Sequence, residues 1–261
     1  MSLISSLSHI DPSAKIGNHV TIGPWCYIGP HAVIGDHTKL GSHVVIGCNT
    51  TIGTYNTIHS FASIGGDPQV SQYVFNDNDR LVIGDRNVFH EYVTINRGWS
   101  LKDQGVTTIG SNNLFQVSSH VGHDCEIGND AIFGNASAVA GHVKIQDGAV
   151  IGAWVGVHQF CQIGAHSFLT HSAMVSKDIL PYMLVSGNIP RVRGVNNEGL
   201  KRKGFRADML TIIKAIYKEI FIRKKQHDDV CNILKDYIQE GHEVLVPMLH
   251  MLESTERGVL R

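Results

Sequence analysis

Two histidines and an aspartate sit close together in Ser119-His120-Val121-Gly122-His123-Asp124, and His142 and His158 follow 19 and then 16 residues further on. An imidazole titrates near neutrality, so one held beside a carboxylate can take a proton from a hydroxyl or an amine. His and Asp are also metal ligands, but no further Cys or carboxylate completes a ligand set around His120 and His123, so general base chemistry is favoured over metal binding. Most of the 16 histidines lack such a context. His19, His31, His37 and His43 fall in ordinary polar slots and read as exposed.

These groups need a scaffold that brings residues about eighteen apart into register, and the chain carries one. Ile, Val, Leu or Phe recurs every six residues from Ile10 to Ile64, again at Ile83, Phe89 and Ile95, and without a break from Ile109 to Val175. A helix would require a period near 3.6 and an ordinary strand a period of 2. A six-residue repeat predicts a parallel β-helix, an all-β prism with one inward apolar side chain per short strand. Three strands make a coil of about 18 residues, and successive coils stack about 4.8 Å apart. His142 then lies one coil above His123, and His158 in the next. The position two before each aliphatic also points inward and should be small, as at Cys26, Ala32, Thr38, Ser119, Cys125, Ala131, Ser137 and Cys161. Gly, 27 of 261 residues, often follows the aliphatic and is expected at the turns, where it adopts positive φ cheaply. Insertions at 66–82 and 96–108 interrupt the repeat, and long loops on a rigid scaffold often carry function.

Beyond Val175 the repeat ends, and 177–197, with Pro181 and Pro190, reads as an irregular connection. Leu210, Ile213, Ile216 and Ile220 then step at helical spacing, as do Val230, Ile233, Leu234 and Tyr237, with a third helix around Pro247 to Leu252. The division is a prism over 1–190 and a helical part over 191–261. With 17% charged residues and a net charge of −1, the chain is neither a bulk-charged nucleic-acid binder nor a disordered acidic protein. Half of the 22 lysines and arginines nevertheless lie between 191 and 225, against three acids, Glu198, Asp208 and Glu219. That excess suits an anionic partner, and no nucleic-acid motif accompanies it. No apolar run approaches a membrane span, and the first eleven residues lack a signal-peptide pattern, so no stable membrane insertion is expected. The five cysteines form no CxxC pair and read as reduced thiols in a cytoplasmic protein.

The segments His120-Val-Gly-His-Asp-Cys125, Ala140-Gly-His-Val143, Val157-His-Gln-Phe-Cys161 and Gly194-Val-Asn-Asn-Glu-Gly-Leu-Lys-Arg-Lys-Gly-Phe205 closely resemble the UDP-N-acetylglucosamine O-acyltransferases of lipid A biosynthesis, along essentially the whole chain. The resemblance implies a left-handed β-helix, a cytoplasmic homotrimer with active sites between neighbouring prisms, and no metal or free cofactor. It implies transfer of an (R)-3-hydroxyacyl chain from acyl carrier protein to the 3-position of the UDP-sugar. By the same resemblance His123 is the general base, Asp124 orients it, and the Gly141 N–H stabilises the oxyanion. His120, His142 and Gln159 position substrate, and Asn196, Glu198, Arg202 and Lys203 surround the nucleotide. His171 falls where acyl-chain length is set and is expected to shorten the cavity. Lys201, Arg206, Lys214 and Lys218 would meet the acidic carrier protein.

The sequence departs from that pattern in the insertions. Outside them Lys203 stands where Arg is, losing a bidentate contact; within them Val70 and Gln72 stand where relatives carry an Asp and a Lys toward sugar and phosphate, and Asn96 stands where His is common. These changes leave open a 3-amino sugar nucleotide as acceptor, or a non-catalytic paralogue that binds sugar nucleotide or carrier protein. Two further alternatives are weighed on the same fold. A related N-acyltransferase would have an additional N-terminal domain, and a metalloenzyme of the γ-carbonic-anhydrase type would need a His spacing that fits poorly here.

Overall fold

The computed structural model describes residues 2–101 and 105–261. Short parallel strands wind into a three-sided prism whose faces hold, among the described residues, eleven, nine and eight strands. Face 1 runs from Leu3–Ile4 through Thr21–Ile22 and Leu114–Phe115 to Phe168–Leu169. Face 2 includes Thr94–Asn96, His120–Val121, Ala138–Val139, Gly156–Val157 and Met174–Val175, and face 3 includes Arg80–Ile83, Val106–Ile109, Glu126–Ile127, Lys144–Ile145 and Gln162–Ile163. Each strand pairs in register with the strand one coil away, as His120 with Ala138 and Val121 with Val139. The repeat therefore sets the register: the inward aliphatics stack in columns, and Ile28, Ile46, Ile64, Ile95, Val121 and Val139 are all fully buried on face 2.

The prism begins one strand earlier than the sequence suggested, because Leu3–Ile4 pairs with Thr21–Ile22. The crowded inward positions hold the small residues expected, with Cys26, Cys125 and Cys161 among them and all five thiols free. They also admit larger groups. Asn56, Asn87 and Asn113 form a buried ladder there, each amide oxygen accepting the next coil's backbone N–H. A buried polar side chain is tolerated because backbone partners lie one coil apart.

The glycines act differently from the expectation. Left-handed φ falls three residues after each aliphatic, at His19, Trp25, His31, His37, His43, Tyr55, Asp124 and His142 among others. The glycine directly after the aliphatic is required by close stacking instead: a Cβ on Gly23 would sit 2.7 Å from the Gly41 carbonyl carbon. Because the left-handed residues repeat every coil, their side chains stack. Trp25, His43, Phe61 and Tyr92 form one such ladder, with ring centroids 5.0 to 5.3 Å apart.

Two strands close the prism: Met183–Ser186 continues face 1 in parallel, and Arg191–Val195 pairs antiparallel with it. Helices follow at Asn197–Arg202 (α1), Ala207–Tyr217 (α2), His227–Gln239 (α3) and Val246–Ser254 (α4), with a π-helical turn over Lys218–Ile222. The tail returns to the prism, where Thr255 Oγ1 donates to the buried Asp178 at 2.6 Å. No helix among the described residues is long and apolar enough to cross a membrane.

Candidate active site

The repeat places His123 two residues after the buried Val121, and Asp124 at the left-handed corner between faces 2 and 3. His123 Nδ1 lies 2.8 Å from Asp124 Oδ2, with side-chain exposures of 14% and 3%. A carboxylate only accepts, so Nδ1 carries a proton, and in the neutral form of the ring the lone pair lies on Nε2. Asp124 is held from both ends of the second insertion. Its carboxylate accepts the Trp99 backbone N–H at 3.0 Å, and its own N–H donates to Thr107 Oγ1 at 2.8 Å. Donors on both carboxylate oxygens offset the penalty of burying the charge.

The imidazole lies over Gly141. A Cβ there would meet three ring atoms of His123 at 2.8 to 3.2 Å, so only glycine leaves the ring in place. Trp99 and His142 approach the ring edge-on, at centroid distances of 6.1 and 5.0 Å, and His142 stacks on Phe160 at 4.5 Å. The sequence placed His142 nearly above His123. The structure places His142 above Asp124, in the corner column, and puts Gly141 above His123.

A cleft of about 630 Å³ runs along face 2 beside this corner. Of the residues the sequence singled out, His120, His123, Gly141, His158, Gln159, Val70 and Asn96 line it. Its floor follows the outward column His120, Ala138, Gly156, Met174, which narrows to glycine and then closes, the Met174 sulfur lying where a Gly156 Cβ would come within 2.9 Å. Asp124 and His142 line a second cavity of about 910 Å³ on face 3, together with Glu126, Lys144, Gln162 and Glu256. One corner therefore parts an apolar cleft from a polar one.

His120 Nδ1 is 2.8 Å from Thr94 Oγ1, and burial holds its imidazole below the usual pKa. Asn96 is buried, and its amide donates to the Asp67 carbonyl at 2.6 Å, joining the two insertions. Its neighbour Arg97, also buried, pairs with Asp67 and donates to the Gly65 carbonyl at 3.0 Å. Gln72 is exposed and lies outside the cleft.

Other sequence-derived positions lie elsewhere in the single chain. Asn196 caps α1, its amide oxygen accepting the Gly199 N–H at 3.2 Å while its NH₂ donates to the His166 carbonyl at 3.0 Å. Glu198 pairs with Lys201 and Arg206 with Asp208 on the exposed surface, where Arg202, Lys203, Lys214 and Lys218 also stand. The Lys201 ammonium draws the Glu198 carboxyl below its ordinary pKa. His171 is exposed at the opposite edge of face 2, between Phe168–Leu169 and Met174–Val175, and does not line the cleft.

Trp99, Thr107, Ala138, Gly156 and Met174 escaped sequence reasoning. The last three are legible in principle by reading the chain every eighteenth residue from His120. Trp99 carries no periodic signal. Parts of the second insertion, Lys102 to Gln104, lie outside the described residues.

Among the described residues, two side-chain clusters bring donor atoms within 4.8 Å of one another: His123, Asp124 and His142, and separately His59, His90 and Glu91. In the first, His123 Nδ1 is engaged with Asp124. In the second, the imidazoles are parallel within 4° at 4.7 Å. In-plane lone pairs of parallel rings cannot converge on one ion at the roughly 2.0–2.1 Å of a metal–nitrogen bond.

The sequence profile described as UDP N-acetylglucosamine O-acyltransferase, domain 2, matches residues 178–260, and the bacterial transferase hexapeptide profile matches 2–36, 13–48 and 31–66. The acyl-[acyl-carrier-protein]–UDP-N-acetylglucosamine O-acyltransferase of Alkalilimnicola ehrlichii is 47% identical over the full length of both chains, and that of Pseudomonas aeruginosa 44%. The UDP-N-acetylglucosamine acyltransferase structure from Francisella novicida superposes with a TM-score of 0.96 at 42% identity, covering 99% of this chain and 94% of that one. LpxA of Acinetobacter baumannii also gives 0.96, at 39% identity, covering 99% and 100%. The left-handed parallel β-helix with a C-terminal helical part is therefore the fold of this chain.

Proposed function

We propose, from the premise that this chain belongs to the acyl-[acyl-carrier-protein]–UDP-N-acetylglucosamine O-acyltransferase family, that it transfers an (R)-3-hydroxyacyl chain from acyl carrier protein to the 3-hydroxyl of UDP-N-acetylglucosamine. The observation that carries this reading is the His123–Asp124 pair at 2.8 Å, seated over Gly141 at the wall of an apolar cleft. His123 Nε2 takes the proton of the sugar hydroxyl as that oxygen attacks the thioester carbonyl carbon. The carbonyl oxygen becomes an oxyanion, for which the Gly141 N–H is the donor. The attack has formed the C–O ester bond; collapse restores the carbonyl and breaks the C–S bond, and the leaving thiolate takes the proton back from the imidazolium. Asp124 stabilises that cation while it exists. Residues of this chain supply each of these steps, with no metal or free cofactor.

The column Ala138, Gly156, small and then closed by Met174, suits the acyl chain. Three coils at about 4.8 Å separate His120 from Met174, which favours a chain of intermediate length. His171 shortens the same cavity from a neighbouring prism. Asn196, Glu198, Arg202 and Lys203 reach the nucleotide in the same way, across an interface of a homotrimer, since they stand clear of the cleft within one chain. The exposed cations Lys201, Arg206, Lys214 and Lys218 receive the acidic carrier protein, and the setting is the cytoplasm. The apolar Val70 and the engaged amide of Asn96 favour one second reading, a 3-amino sugar nucleotide as acceptor.

Radiolabelled UDP-N-acetylglucosamine offered with 3-hydroxyacyl carrier proteins of several lengths tests this. Wild type should acylate it, and His123→Ala should be slower by about 10²–10⁴-fold. A His123→Ala protein at nearly full rate removes the mechanism. Activity confined to the 3-amino analogue moves the reading to that acceptor.

A further inference from the structure

The His123–Asp124 pair rests on contacts that proton transfer does not itself require. The Trp99 N–H on Asp124 belongs to the second insertion, and the next residue, Ser100, is anchored in the first. Ser100 N–H and Oγ–H both donate to Asp79 Oδ1, at 2.7 and 2.6 Å. The other oxygen of Asp79 accepts the Tyr73 hydroxyl at 2.8 Å and the Asn76 N–H at 3.2 Å. Asp79 is fully buried and does not line the cleft.

We propose that Asp79 is a positioning residue for the base: through Ser100 it holds the Trp99 amide on Asp124, and Asp124 in turn holds His123 with Nε2 free. Burial works against the charge on Asp79, but four donors outweigh it and keep the carboxyl below its ordinary pKa. An anion surrounded by four donors has one low-energy arrangement, so it fixes the backbone that supplies them. Replacing it with an amide puts an NH₂ among groups that are themselves donors and leaves at least one unpaired. The loop then re-seats, and a displacement near 1 Å at a reacting group slows the reaction about 10²-fold.

The inference rests on His123 as base, so the experiment separates the two. Asp79→Asn and Ser100→Ala are made in the wild-type chain and in Asp124→Asn, and kcat and KM are measured for both substrates, with thermal unfolding alongside. Asp79→Asn should lower kcat about 10- to 100-fold and leave each KM within about twofold. Ser100→Ala keeps the amide and should lower kcat by less, about two- to tenfold. In the Asp124→Asn background both effects should vanish, because coupled residues are not additive. Full rate, a rise in KM alone, or losses that add to Asp124→Asn would overturn the assignment. If Asp79→Asn does not fold, Ser100→Ala in the same cycle decides. His123→Ala at full rate sinks the base instead, leaving these contacts a matter of structure only.

Discussion

The first three coils and the coils beside the insertions are built from one repeat, yet only the second region has a site. In the first, the left-handed corner residues His19, Trp25, His37, His43 and Tyr55 project into solvent and stack on one another. In the second, the same left-handed position of the hexapeptide, here on the edge between faces 2 and 3, is Asp124, buried beneath Trp99 and fixed by Thr107. A repeat presents an identical corner every coil. What sets one corner apart is a loop that leaves the repeat and covers it, burying the carboxylate and supplying donors at a fixed distance.

Stacked aromatics offer the widest test of that difference. Phe89, Phe115 and Phe133 stack inside the prism at 4.7 to 4.8 Å, whereas Phe61 stacks outside at 5.0 to 5.3 Å and is 48% exposed. Phe115→Ala should lower unfolding free energy by about 3–5 kcal/mol. Phe61→Ala should lower it by about 0.5–1.5 kcal/mol, the worth of an aromatic pair. Equal losses in chemical denaturation would erase the distinction between the two ladders.

Glycines sharpen it further. In Gly141→Ala the new methyl meets the His123 ring, so activity should fall by about 10²-fold with the fold retained. In Gly23→Ala it meets the backbone of the next coil, so stability should fall by about 1–3 kcal/mol with activity per folded molecule unchanged. Steady-state rates beside circular dichroism melts check both, and the comparison breaks if Gly141→Ala is fully active.

The smallest effect is a pH dependence. Burial keeps the His120 imidazole below the ordinary value near 6.5. The unfolded chain then binds the proton more readily, so stability falls as pH drops through about 6.5 toward the depressed folded value. His120→Asn should lose less unfolding free energy than wild type between pH 7.5 and pH 5. An identical loss in both would remove His120 as a contributor.

Much of the scaffold was legible from Ile10 to Val175 because one inward side chain per six residues leaves no other regular fold. The glycine after each aliphatic was legible as a pattern, but its cause was not. Its crowding comes from the neighbouring coil, eighteen residues away, and not from its own turn, which lies three residues past the aliphatic. His123 and Asp124 could be read as a pair, since they are adjacent. Asp79, Trp99 and Thr107 could not, because the insertions follow no period and their contacts bridge 17 to 25 residues.

By itself, then, the sequence determined the prism, its register, the helical ending and the adjacency of His123 and Asp124, because periodicity and adjacency are local properties of a chain. Only the tertiary structure decided that His142 sits over Asp124, that Met174 ends the cleft, and that a buried carboxylate in one insertion holds the amide of the other. Those are distances between segments with no common period, and they exist only once the core has brought the segments together.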